Sequence, residues 1–72
     1  MKDYILYRKI ARVVLQLADT LNISSKRALL IFYNSQVGQM LHDSKYGYHL
    51  MSDTYIVNDI IAKLRGASPN NS

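Results

Sequence analysis

From residue 3 to residue 21 the apolar side chains recur at helical spacing. At about 100° per residue, Tyr7, Ile10, Ala11, Val14, Leu17, Ala18 and Leu21 share one face, and Arg8, Arg12, Gln16 and Asp19 share the other. This predicts a long amphipathic helix. Two residues break the division: Ile5 points into the polar arc and Leu15 lies on its border, so both are candidates for contact with a partner.

Asn22 is placed to end that helix, and Ser24 or Ser25 to cap the next by accepting a hydrogen bond from a free backbone N–H in its first turn. The second helix, about residues 25–33, is nearly all apolar after Lys26 and Arg27, which predicts a central place in the core. Lys26 and Arg27 stand at its positive dipole end, where a cation costs about 0.3–1 kcal/mol, and an acidic partner would relieve that cost.

Asn34 and Ser35 interrupt the apolar run, and Ser35 can cap a short third helix through Gln36, Val37, Gln39, Met40 and Leu41. Gly38 inside it would weaken the helix by about 0.5–1 kcal/mol against alanine, so its presence implies a close backbone approach. A polar turn at Asp43, Ser44 and Lys45 leads into Tyr46-Gly47-Tyr48, and an extended piece through Met51 with room for a tiny two-stranded β element is expected. Ser52 or Asp53 then caps a last helix with a single stripe of Ile56, Val57, Ile60, Ile61 and Leu64. Lys63 and Arg65 suit its negative end and Gly66 stops it. Residues 67–72, ASPNNS, read as a disordered tail after a single domain over 1–66. The expected fold class is all-α, a compact bundle of three to four helices with one Tyr-Gly-Tyr loop.

Composition sharpens this in three ways. A chain of 72 residues with 49% hydrophobic content and no cysteine has neither disulfides nor an evident metal cluster to staple it. A dense core or association with another chain must then supply stability. The apolar run 28–33 is far too short to span a bilayer, and the chain opens without the features of a signal peptide, so no membrane contact and a cytoplasmic location are expected. The net charge of +4 and the pI near 9.6 would suit an acidic partner, but the cations are scattered, with no run longer than two.

The stretch HDSKYGYHLMSDTYIVNDI, residues 42–60, gathers both histidines, three tyrosines and three of the five acids. His42, Asp43, Ser44 and His49 are residue types of a hydrolase, yet they crowd one polar turn without nucleophile-elbow glycines, and two histidines seven apart match no zinc spacing. Capping, solvation and single hydrogen bonds account for them, so no catalytic residue, metal or cofactor is expected. A helix-turn-helix over 25–42 is the leading alternative. Its second helix, however, would offer two glutamines and a histidine to a groove and no cation, whereas phosphate contacts need several. Nucleic acid is therefore disfavoured, and the DNA reading depends on Arg8, Arg12, Lys26 and Arg27 forming one surface. Tyr46, Tyr48 and His49 suit the border between core and partner, since a tyrosine buries ring area and keeps its hydroxyl wet.

The segment ALLIFYNSQVGQMLHDSKYGYHLMSDTYIVNDI, residues 28–60, resembles the small bacterial family labelled Domain of Unknown Function 3791. Its pattern is an FY-N-S-like break, a short helix ending in leucine, a polar turn and a Ser-x-x-Tyr-Ile/Leu entry to the last helix. Ala28, Phe32, Tyr33, Ser35, Leu41, Ser52, Tyr55, Ile56 and Ile60 match, and over residues 4–64 the first helix agrees in pattern alone. Members are often encoded beside ADP-ribosyltransferase-like proteins. The resemblance thus implies a protein-binding, antitoxin-like role with the enzyme on the other chain.

The expected function is a small non-enzymatic protein-binding domain that uses Ile5, Leu15, Lys26, Arg27, Tyr46, Tyr48 and His49. A DNA-binding regulator and a self-associating structural protein, a homo-oligomer, are the alternatives.

Overall fold

A computed structural model of the chain describes residues 2–66, and serine caps open three of its α-helices. Helix α1, Lys2–Leu21, ends where Asn22 turns left-handed at φ 57°. The Ile23 N–H then reaches back to the Ala18 carbonyl at 2.9 Å and the Asn22 N–H to that of Asp19 at 3.3 Å, which satisfies two of the carbonyls a helix end leaves open. Helix α2, Ser25–Asn34, starts at Ser24, whose hydroxyl accepts from the Arg27 N–H at 3.1 Å. Helix α3, Gln36–Leu41, starts at Ser35, and helix α4, Asp53–Leu64, at Ser52, whose hydroxyl accepts from the Tyr55 N–H at 3.1 Å. Gly66, left-handed at φ 69°, follows the end of α4.

One core joins the four helices. It holds Ile10, Val13, Val14, Leu17 and Ala18 of α1, Ala28 and Phe32 of α2, Val37 and Leu41 of α3, and Ile56, Val57, Ile60 and Ile61 of α4. Each large aliphatic side chain fully enclosed there contributes about 1.5–3 kcal/mol. The sequence-based expectation of an all-α bundle with a single core is met, and among the described residues no helix is long and apolar enough to cross a membrane. The expected tail, residues 67–72, lies outside the described residues.

Three expectations need correction. The buried stripe of α1 is rotated: Val13 is 0% exposed, while Tyr7 is 60% exposed and Ala11 also faces outward. The reason is that α2 and α4 both pack on α1, from two directions, and pull its covered arc towards Leu6 and Val13. Helix α2 is not central. It packs on α1 and α3 but barely touches α4, so it buries Ala28 and Phe32, half-covers Ile31, and leaves Leu29, Leu30 and Tyr33 exposed.

The third correction concerns residues 44–51, where no strand forms. Two single-turn 3-10 helices, Ser44–Tyr46 and Tyr48–Leu50, flank Gly47, which is left-handed at φ 72°. Tyr46, Leu50 and Met51 each donate a backbone N–H to the carbonyl three residues earlier, at 3.2, 3.0 and 3.0 Å. Local bonds thus occupy the groups a strand partner would have used.

Candidate partner-binding surface

The polar side chains of residues 42–60 serve the fold. The His42 Nδ1 lies 3.0 Å from the Gly38 carbonyl, which can only accept, so that nitrogen carries the proton. The Asp43 carboxylate accepts from the Lys45 backbone N–H at 3.1 Å, a turn-forming contact. The Tyr48 hydroxyl donates to Asp59 at 2.8 Å, and that bond, with burial adding to it, holds the phenol above its ordinary pKa. Asp59 is bound in turn by the Lys63 ammonium at 3.0 and 3.1 Å. His49 is half-buried, and its enclosed Nδ1 has no hydrogen-bond partner among the described residues. Among those residues, no three of His, Asp or Glu gather where they could hold a metal ion.

A second polar cluster clasps α1 to the start of α4. Asp53 receives the Lys9 ammonium at 2.8 Å and the Arg12 Nε–H at 2.9 Å, and beside it Gln16 donates to the Thr54 hydroxyl at 3.0 Å. The Lys9 hydrogen bond is the main reason the Asp53 carboxyl lies below its ordinary pKa. Burial opposes that shift, and Arg12 adds to it. Arg8 lies 5.6 Å from the centre of the Tyr4 ring and donates to its hydroxyl at 3.2 Å. Arg12, one of the four cations the DNA-binding reading requires, is thus engaged within the domain, and α3, the would-be recognition helix, has six residues and buries Val37, Gly38 and Leu41.

The structure disperses the residues the sequence singles out. Ile5 and Leu15 are 69% and 61% exposed but lie ten residues apart, about 15 Å along α1. Lys26 and Arg27 are exposed in the first turn of α2. Tyr46 is exposed under the Lys45 ammonium at 5.3 Å, whereas Tyr48 packs against the core. Of the seven residues, Arg27 alone lines the concavity between α2 and α4 described next.

That concavity is a groove of about 910 Å³ between α2 and α4. It exists because both helices lean on α1 and barely meet each other. Leu30 and Ile31 form one wall and Ile60 and Leu64 the other, with Arg27, Asn34, Asp59 and Lys63 among the residues at its edges. Leu30, Tyr33 and Leu64 are each at least half exposed and were not singled out by sequence reasoning. The available signal was the length of α2. A ten-residue helix that packs on α1 and α3 but hardly on α4 keeps an outer arc uncovered, so a helix apolar all round must leave part of that surface out.

Comparison with family models, curated proteins and solved structures found no match to the chain. The family resemblance therefore rests on its nine residues, and the fold separates them by role. Ala28, Phe32, Leu41, Ile56 and Ile60 are core, and Ser35 and Ser52 are caps. Tyr33 and Tyr55 do neither and are 50% and 53% exposed.

Proposed function

We propose that this chain is a protein-binding domain with no chemistry of its own, and that its partner covers the outer face of α2 and the adjacent end of α4. The observation that carries this reading is the exposure of Leu29, Leu30 and Tyr33 on α2 together with Leu64 on α4, large apolar surface on a very small domain. Apolar side chains grouped beside a groove and rimmed by charge are typical of binding surfaces, and tyrosine is favoured there. The resemblance in residues 28–60 supplies the partner class, an ADP-ribosyltransferase-like protein that the domain would neutralise in the cytoplasm.

Co-expression with the protein encoded beside it is the test. A stable complex that changes that protein's activity or toxicity, and that weakens when Leu30 and Tyr33 are both replaced by serine, is the expected result. Absence of a complex, or a complex indifferent to those substitutions, overturns the reading. A stable homodimer without any partner would favour the structural-protein alternative. DNA affinity that falls steeply with salt would favour the regulator.

A further inference from the structure

The groove between α2 and α4 has an apolar floor and an unbalanced rim. The Asp59 carboxylate at its edge is already held by Lys63 and by the Tyr48 hydroxyl. Arg27, at the same groove, makes no ion pair among the described residues, and neither does Lys26 next to it. The first turn of α2 contains no acidic residue, so both cations stand uncompensated at the positive end of the helix dipole. The uncommitted charge at this end is positive.

We propose that the groove receives an amphipathic helix of a partner protein whose edge is rich in carboxylates. Its apolar side chains at i, i+3 or i+4, and i+7 rest on Leu30, Ile31 and Leu64, above the buried Ile60, and its aspartates or glutamates pair with Arg27 and Lys26. A helix is the fitting shape because two helices leaning apart on a third leave a trough that a further helix fills by ridges-into-grooves packing. A second copy fits poorly, since it brings the same net charge of +4 to a rim that needs anions. Residues 67–72, ASPNNS, contain neither an acid nor a large apolar side chain and so cannot play this part. The inference rests on the protein-binding reading above and gives its partner a chemical character.

Three synthetic peptides of about five helical turns test it. One carries a leucine stripe flanked by glutamates, one the same stripe flanked by lysines, and one has serines in place of the leucines. Fluorescence anisotropy measures their binding to the whole chain, and amide NMR shifts locate it. The glutamate peptide should bind saturably and at least about tenfold more tightly than the lysine peptide, with the gap closing as salt rises. Shifts should fall on both walls of the groove. Arg27→Glu should narrow or reverse the preference, and Leu30→Ser should weaken binding of the glutamate peptide. Both residues are exposed, so both variants should keep the circular dichroism spectrum of the parent chain.

Equal binding of the two charged peptides, no saturable binding of the glutamate peptide, equal binding of the serine peptide, or shifts confined to α1 around Leu15 would each overturn the proposal. If a co-expressed protein binds through α2 while the glutamate peptide does not, the acidic-helix assignment falls and the protein-binding reading stands. If the peptide binds as described and the co-expressed neighbour does not, the groove assignment stands and that partner is wrong.

Discussion

Replacing Gly38 by alanine sets two rules against each other. Helix propensity alone says that alanine inside α3 should stabilise by about 0.5–1 kcal/mol. The structure says the reverse. A Cβ at position 38 would lie 2.0 Å from the carbonyl oxygen of Phe32, 3.0 Å from its carbon and 3.2 Å from the Ser35 hydroxyl. The obstruction is backbone, and it is tied down: the Phe32 carbonyl accepts the Ser35 hydroxyl at 2.7 Å and the Ser35 N–H at 3.1 Å, while that same hydroxyl accepts the Gly38 N–H at 2.9 Å. Relief requires α3 to lift from the end of α2, which breaks the Ser35 cap and draws Val37 and Leu41, 0% and 2% exposed, out of the core. Overpacking of this kind costs about 1–3 kcal/mol and a lost cap about 1 kcal/mol more. Against the gain in propensity, the net loss should be about 1–3.5 kcal/mol. A domain of this size holds roughly 4–11 kcal/mol in total, so Tm should fall by about 5–25 °C. Urea and thermal unfolding followed by circular dichroism measure it. An unchanged or raised Tm would show that α3 is not seated on the Phe32 carbonyl and would remove the packing argument for the second half of the core.

Phe32→Ala should cost about 3–5 kcal/mol in the same assay, since its ring is fully enclosed, and a small loss would mean that the core lies elsewhere. Ser52→Ala should cost about 1 kcal/mol through loss of the cap on the Tyr55 N–H, and no change would mean that α4 begins at another residue. Asp53→Asn should cost about 1 kcal/mol at neutral pH. The folded pKa of Asp53 is lowered, so its contribution is present above the unfolded carboxylate value of 3.8 and is lost as pH falls through the folded one. Unfolding scans from pH 6 to pH 2 should therefore show parent and Asp53→Asn stabilities converging in acid, and a constant gap would refute the clasp. Leu30→Ser should change stability by about 0.5 kcal/mol or less, and a larger loss would mean that this side chain is packed and not presented. Tyr33→Ser should cost about 0.5–1.5 kcal/mol, because the Tyr33 ring meets the Phe32 ring edge-on at 5.5 Å.

What the sequence disclosed was local chemistry. Asn22, Ser35, Ser52 and Gly66 mark helix ends because capping involves groups a few residues apart, and Gly38 signals a close approach because alanine would otherwise serve better there. What it withheld depends on which helices touch. Tyr7 and Val13 both fit an apolar stripe, and the choice between them was made by α2 and α4 arriving on two sides of α1. The exposure of Leu29, Leu30 and Tyr33 follows from the same arrangement. After the Tyr46-Gly47-Tyr48 turn signal an extended piece through Met51 was expected, but a left-handed glycine and local N–H to carbonyl bonds closed two turns instead. Among the candidate surface residues, Lys26 and Arg27 were found from their awkward place at a helix start, while Leu64 belonged to a stripe that reads as core along its whole length.

The central claim is that α2 presents its outer face to another protein, and amide hydrogen exchange on the complex with the co-expressed neighbour tests it most directly. Caps and core hold the inner bonds of α2 in the free chain, so the added protection on binding should concentrate at residues 25–34 and 59–64, with α1 around Ile5 unchanged. Protection confined to α1 or to residues 44–50, or none at all in a chain that stays monomeric beside its neighbour, would contradict the account.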